Sequence, residues 1–138
     1  MKKKIRGLGI VLAVIFLLTG CTSTKLAEGY DKKEIKERAE QIINEIQLNG
    51  AKAVLQENMR EEFAEKMDLD AMEDTVKNLI SGQGEFMAYS QETIVGKKYD
   101  DTGEDFAVIL VTATYKKGEV NYTITFDKDM NIVGFYAK

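Results

Sequence analysis

The chain has 138 residues, 30% of them charged and 44% hydrophobic, with no histidine, proline or tryptophan and one cysteine, which bounds it to a single small domain. Without histidine there is no His-based triad, His–Asp dyad or His-ligated zinc site, and a single cysteine closes no internal disulfide.

Met1 to Arg6 carries Lys2, Lys3, Lys4 and Arg6 and no acid, and an apolar run from Gly7 to Leu18 follows. These are the charged n-region and apolar h-region of a signal peptide. The run is well short of the roughly 20 residues an α-helix needs to cross the hydrocarbon core, which disfavours a permanent span. Leu18-Thr19-Gly20-Cys21 resembles the lipobox of bacterial lipoproteins: a bulky apolar residue three before the cysteine, then small residues, then the thiol. The resemblance implies a thioether-linked diacylglycerol on Cys21, cleavage after Gly20 and Cys21 as the new N-terminus. At about 0.8 kcal/mol per buried methylene, two or more acyl chains then hold the protein at the extracytoplasmic face of the cell membrane without a spanning helix. An ordinary signal peptide or a short membrane anchor, its cysteine incidental, is the competing reading, and the shared register of n-region, h-region and lipobox weighs against it.

Removing those four cations from the 19 basic residues leaves 15 against 23 acidic ones, a formal charge of −8 rather than −4. No nucleic-acid partner is expected, because Lys32, Lys33, Lys36, Lys97, Lys98, Lys116 and Lys117 are scattered among carboxylates rather than forming a basic stripe. An anionic membrane surface should repel such a body, leaving the lipid to attach it.

Thr22 to Tyr30 is polar and reads as a tether, reaching about 30 Å at ~3.3 Å per residue. From Asp31, a candidate N-cap with Glu34 three residues on, Ile35, Ala39, Ile42, Ile43 and Ile46 recur at helical spacing until Asn49-Gly50 supplies a stop. Ala51, Val54, Leu55, Met59, Phe63 and Met67 continue a helical period, with a bend or break expected at Glu57-Asn58. Asp68 or Asp70 caps a further helix whose face is Leu69, Met72, Val76, Leu79 and Ile80, ended by Ser81-Gly82-Gln83-Gly84.

Beyond Gly84 the period changes to two, and Phe86–Lys98, Asp105–Lys116, Glu119–Phe126 and Asn131–Ala137 read as strands. A two-residue loop at Lys117-Gly118 would pair Lys116 with Glu119, Tyr115 with Val120, Ala113 with Tyr122, Val111 with Ile124 and Ile109 with Phe126. The opposite face would then pair Thr114 with Asn121, Thr112 with Thr123, Leu110 with Thr125 and Val108 with Asp127. Helices followed by an antiparallel meander give an α+β fold, N-terminal helices on one face of a four-stranded sheet, its other face partly wet.

The run Ala39-Glu-Gln-Ile-Ile-Asn-Glu-Ile through Asn49-Gly50, the helical pieces after it, and the meander ending Thr125-Phe126-Asp127-Lys128-Asp129-Met130-Asn131-Ile132-Val133-Gly134 resemble a nuclear transport factor 2-like (cystatin-like, cone-shaped) domain. More narrowly, they resemble the bacterial secreted family called domain of unknown function 3887, over about residues 31 to 138. The resemblance implies a cone with a pocket and no particular activity. Enzymes of the broad superfamily commonly use a His–Asp or Tyr–Asp pair, and the first is excluded here.

Asp127-Lys-Asp129-Met-Asn131 matches the first half of a calcium loop, but Ile132 stands where glycine is required and Lys138 where the bidentate glutamate belongs, so a hairpin turn is favoured. Asp100, Asp101, Glu104 and Asp105 around Thr102-Gly103 read as a solvated turn rather than a cation site. No metal, no cofactor and no identifiable catalytic residue is expected. Tyr89 and Tyr122 are the candidate ligand-pocket residues, their hydroxyls offering polar contacts to a small apolar ligand, with core packing the competing role. The acidic stretch Glu61-Glu62, Glu65, Asp68, Asp70, Glu73 and Asp74 reads as a solvated helix face.

These readings converge on a lipid-anchored, extracytoplasmic small-ligand-binding or accessory module. The expected partners are the membrane, a small apolar ligand or a membrane-bound protein, and a second copy through the outer sheet face around Val108, Leu110 and Phe106. A histidine-independent enzyme using Tyr, Asp, Glu or Lys in the cone is the alternative.

Overall fold

In the computed structural model, which describes residues 25–138, the first helix, α1 (Lys32–Asn49), starts where Asp31 accepts a hydrogen bond from the Lys33 N–H at 3.1 Å. The cleavage and lipidation positions, Gly20 and Cys21, lie outside the described residues. Ile35, Ala39, Ile42, Ile43 and Ile46 are buried, the same residues that the helical spacing selects. Gly50 ends α1 at φ +93, its N–H donating to Ile46 O at 2.8 Å.

Helix α2 (Ala51–Asn58) buries Ala51, Val54 and Leu55. It breaks where the sequence suggests. The Asn58 amide donates back to Val54 O at 2.7 Å, and Met59 turns extended to bridge Ile132. The short α3 (Glu61–Ala64) and α4 (Leu69–Ile80) follow; Asp68, rather than Asp70, caps α4 by accepting from the Ala71 N–H at 3.0 Å. Among the described residues no helix is long and apolar enough to cross a membrane.

The strands β1 (Phe86–Tyr99), β2 (Glu104–Tyr115), β3 (Gly118–Phe126) and β4 (Ile132–Ala137) form one antiparallel sheet in the order β1-β2-β3-β4. The fold is α+β, as expected. The β2–β3 register differs from the expected one by two positions: Tyr115 faces Gly118, Ala113 faces Val120, Val111 faces Tyr122 and Ile109 faces Ile124. The reason lies outside the hairpin. The loop residues Lys116 and Lys117 donate their N–H groups to Glu85 O and Gln83 O, both at 2.8 Å, and a β-carbon at Gly118 would collide with the Gln83 side chain. The lead-in to β1 therefore fixes the tip. An even shift preserves the side-chain alternation, so Ile109, Val111, Ala113, Tyr115, Val120, Tyr122, Ile124 and Phe126 all remain buried beneath the helices.

Two residues assigned to the outer face are buried instead. Phe106 is 3% exposed, because the Phe63 ring lies edge-on at 5.9 Å and Tyr99 stacks at 5.5 Å between centroids. Asp127 is also 3% exposed; it leaves the ladder to serve the β3–β4 turn, where it meets Arg60.

The described part of the segment read as a tether lies on the sheet. Leu26 and Tyr30 pack against the core, and the Tyr30 hydroxyl donates to Asp105 O at 2.7 Å and Phe126 O at 3.3 Å.

Candidate functional site

On the inner face the tyrosines serve packing and helix attachment. Tyr122 is fully buried, its ring 6.0 Å from that of Phe135, and its hydroxyl has no hydrogen-bond partner. The Tyr115 hydroxyl donates to Gln47 Oε1. Tyr89, half-buried on β1, donates to Asn44 Oδ1 at 2.5 Å and Glu40 O at 3.2 Å, tying the edge strand to α1. Burial pushes all three phenols up, so they remain neutral donors and supply no phenolate base at neutral pH.

Beside Tyr89 the ladder shifts between Ser90 and Thr93, with Gln91 at φ +50. Ser90 and Gln91 both meet outer-face threonines, Thr114 and Thr112, each at 3.5 Å, while Glu92 reaches α1, its Oε1 3.3 Å from Lys36 Nζ. Glu92 is 17% exposed, and its Oε2 is buried without a donor. The Glu40 carboxyl adjoins it; a hydrogen bond to Glu92, then burial, then the Glu92 charge raise Glu40 to about 7. A protonated Glu40 supplies the donor that Glu92 lacks.

The outer sheet face carries a cleft of about 800 Å³. Its floor is a row crossing all four strands, Thr93 beside Leu110 beside Thr123 beside Tyr136. Leu110 is 44% and Tyr136 56% exposed, large apolar surfaces in the open. Polar groups are grouped at one side, where Thr112 donates to Asn121 Oδ1 at 2.7 Å and Gln91 joins them.

A second cleft, about 390 Å³, is lined by Arg60, Glu104, Asp105, Asp127, Asp129 and Asn131, among others. Arg60 Nη1 contacts Glu104 Oε2 at 2.6 Å and Asp127 Oδ2 at 3.3 Å. Asp127 Oδ1 accepts the N–H groups of Asp129 (3.0 Å) and Asn131 (2.9 Å). The calcium-like pattern is thus a turn whose first carboxylate is committed to backbone amides and a guanidinium. The acidic loop likewise pairs internally, Asp101 accepting from the Tyr99 hydroxyl and Lys98 contacting Asp105. Among the described residues no three acidic side chains gather as a metal-binding group. A third cleft, about 420 Å³, lies between the α1–α2 junction and α4, lined by Gly50, Glu73, Val76 and Lys77 among others.

Tyr122 borders the outer cleft, and Tyr89 lines none of these three. Both phenols face the helices, near enough that Tyr115 and Tyr89 add to the upward push on Tyr122. Leu110 stands out in the sequence as an outer-face residue, whereas Tyr136 and the Glu40–Glu92 pair do not. The first follows once β4 is placed beside β3; the second depends on an irregularity in β1 that alternation does not announce.

A protein from Ruminococcus gnavus ATCC 29149, solved by NMR, shares the fold with a TM-score of 0.71 and 24% identity, over 83% of this chain and 96% of that one. None of the curated proteins matches. The family described as "Protein of unknown function (DUF3887)" matches residues 39–135, from the middle of α1 into β4. Helices and meander are therefore those of a shared domain, and the chain belongs to that family.

Proposed function

We propose that the chain is a bacterial lipoprotein, held at the extracytoplasmic face of the cell membrane through acyl chains on Cys21, with a non-catalytic, cone-shaped interaction module as its body. The anchoring part is supported by the n-region, the h-region and Leu18-Thr19-Gly20-Cys21. The observation that carries the interaction part is the row Thr93, Leu110, Thr123 and Tyr136 across the outer face, exposed at Thr93, Leu110 and Tyr136. Open apolar surface of this kind, rimmed by polar groups, marks sites where a partner docks. A membrane-bound protein or a second copy offers a matching apolar strip; a small apolar ligand is the other occupant that the volume admits.

Cys21→Ser should move the protein out of the membrane fraction or leave the precursor uncut, and unchanged lipid labelling and fractionation would refute the anchor. Leu110→Asp with Tyr136→Ser should leave stability within about 0.5 kcal/mol, since both side chains are solvent-exposed, while abolishing cross-linking to the partner or self-association. Wild-type protein that is strictly monomeric, binds nothing and behaves as the double variant does would overturn the interaction reading.

A histidine-independent enzyme is the second reading, favoured by one observation: Glu40, raised to about 7, sits against Glu92 and beside the Tyr89 phenol, and a carboxyl titrating near neutrality suits general acid catalysis. Ester or glycoside turnover lost in Glu40→Gln without loss of stability would support it; no turnover across such a panel would count against it.

A further inference from the structure

The segment entering α1 is part of the folded body. The backbone of Lys25 and Leu26 lies flat on Gly96 of β1, where a β-carbon would collide with the Lys25 carbonyl and stand 3.1 Å from the Leu26 Cα. Glycine inside a strand often marks such a close backbone approach. Further along, Gly29 passes the Lys128 side chain at φ +96, and Tyr30 closes the strap with its two hydrogen bonds to Asp105 O and Phe126 O. Burial, then the Asp127 and Glu104 charges, push the Tyr30 phenol well up, so it keeps its donor proton.

Only Thr22, Ser23 and Thr24 separate Cys21 from Lys25, whose backbone lies on Gly96. Cys21 and Lys25 can therefore stand at most about 14 Å apart, against roughly 30 Å for a segment free to Tyr30. We infer that the β1 edge around Gly96 and Lys97 rests on the lipid headgroup layer, because the strap brings the chain out beside that edge and leaves almost no slack. The inference rests on the Cys21 anchor proposed above. Charge agrees with this orientation. Lys25 and Lys97 flank the exit, and the negative potential of anionic headgroups attracts cations within a Debye length. The same potential repels the Asp100-Asp101 turn, so the lysine-bearing edge is the side that approaches. The Lys116-Lys117 hairpin lies at the other end of the sheet, ten residues along β2 from Phe106, the partner of Lys97, or about 33 Å along the strands.

The test uses the full, processed chain in vesicles of phosphatidylethanolamine and phosphatidylglycerol carrying a headgroup-labelled acceptor lipid. A donor fluorophore is placed by Lys97→Cys or, separately, Lys117→Cys, the Cys21 thiol being occupied by lipid. Transfer from position 97 should exceed that from 117 about twofold or more, given the ~33 Å offset. Inserting about 12 Gly/Ser residues between Thr24 and Lys25 should erase that difference while leaving flotation with the vesicles intact. Equal transfer from the two positions in floated protein, or a difference that survives the insertion, would overturn the inference and leave the anchor standing. Protein that does not float and whose mass shows a bare Cys21 would overturn the anchor, and this inference with it.

Discussion

The guanidinium of Arg60, between α2 and α3, lies 3.3 Å from the carboxylate of Asp127 at the end of β3, and Asp127 is 3% exposed. The same carboxylate organises the β3–β4 turn through the amides of Asp129 and Asn131. One buried charge thus joins the helical layer to the last hairpin, and its removal leaves two amides without their acceptor and the guanidinium with only Glu104 and Glu62 as partners. Asp127→Ala should cost about 3 kcal/mol. Asp127→Asn, which keeps an oxygen for the turn, should cost about half as much. Urea denaturation of the two variants measures the difference; equal losses would show that the ion pair, rather than the turn, dominates.

Glu40 holds its proton to about pH 7, above the ordinary carboxylate value of 4.5. Between those values the folded chain binds a proton that the unfolded chain has released, so this group makes stability fall as pH rises from about 4.5 to about 7 and leaves it level above. Glu40→Gln places a permanent donor beside Glu92 and should remove that slope. At pH 8 the variant should be the more stable protein by about 1 kcal/mol, a figure reduced for solvent screening. Thermal melts of both proteins from pH 4.5 to 8.5 check this; parallel curves would rule out a proton held on Glu40.

Gly50 joins α1 to α2 at φ +93, and a β-carbon there would stand 2.8 Å from Glu73 Oε2. Glu73 in turn accepts the Lys52 N–H at 2.8 Å, acting from α4 as the cap that α2 lacks in its own sequence. Gly50→Ala should destabilise by about 2 kcal/mol through backbone strain and displacement of Glu73. Glu73→Ala should cost about 1 kcal/mol, the usual loss of an N-cap. Because the two act on one contact, the double variant should lose less than the sum, which a double-mutant cycle by chemical denaturation reads directly.

Phe106 fills the space between Phe63 and Tyr99. Phe106→Ala should cost about 3–4 kcal/mol, the range for emptying a buried aromatic site. Leu110→Ala, on the same strand face but 44% exposed, should change stability by well under 1 kcal/mol. Equilibrium unfolding separates the two; a small loss at Phe106 would mean that α3 does not cover it in solution.

Much of the architecture is legible without coordinates. Ile35, Ala39, Ile42, Ile43 and Ile46 declare the buried face of α1, Asp31 and Gly50 its ends, and Asn58 the break after α2. The alternation from Ile109 to Phe126 assigns each of those side chains to its face even though the expected pairing is two positions off. All of these are local properties: a helix or strand period is set by bonds and contacts within a few residues, and an even slip leaves it unchanged.

What the tertiary structure decided depends on partners far away in the chain. Gln83 and Glu85 fix the hairpin tip at Lys116-Lys117, Phe63 covers Phe106, and Arg60 draws Asp127 inward. The irregularity at Gln91 carries Glu92 to Lys36 and Glu40, and Gly96 makes room for Lys25 and Leu26. In each case the residue type permits several environments, and only the packing of one element on another selects among them. Leu110 and Tyr136 belong to the same class: each is an ordinary strand residue in sequence, and they become one exposed row only when β1, β2, β3 and β4 lie side by side.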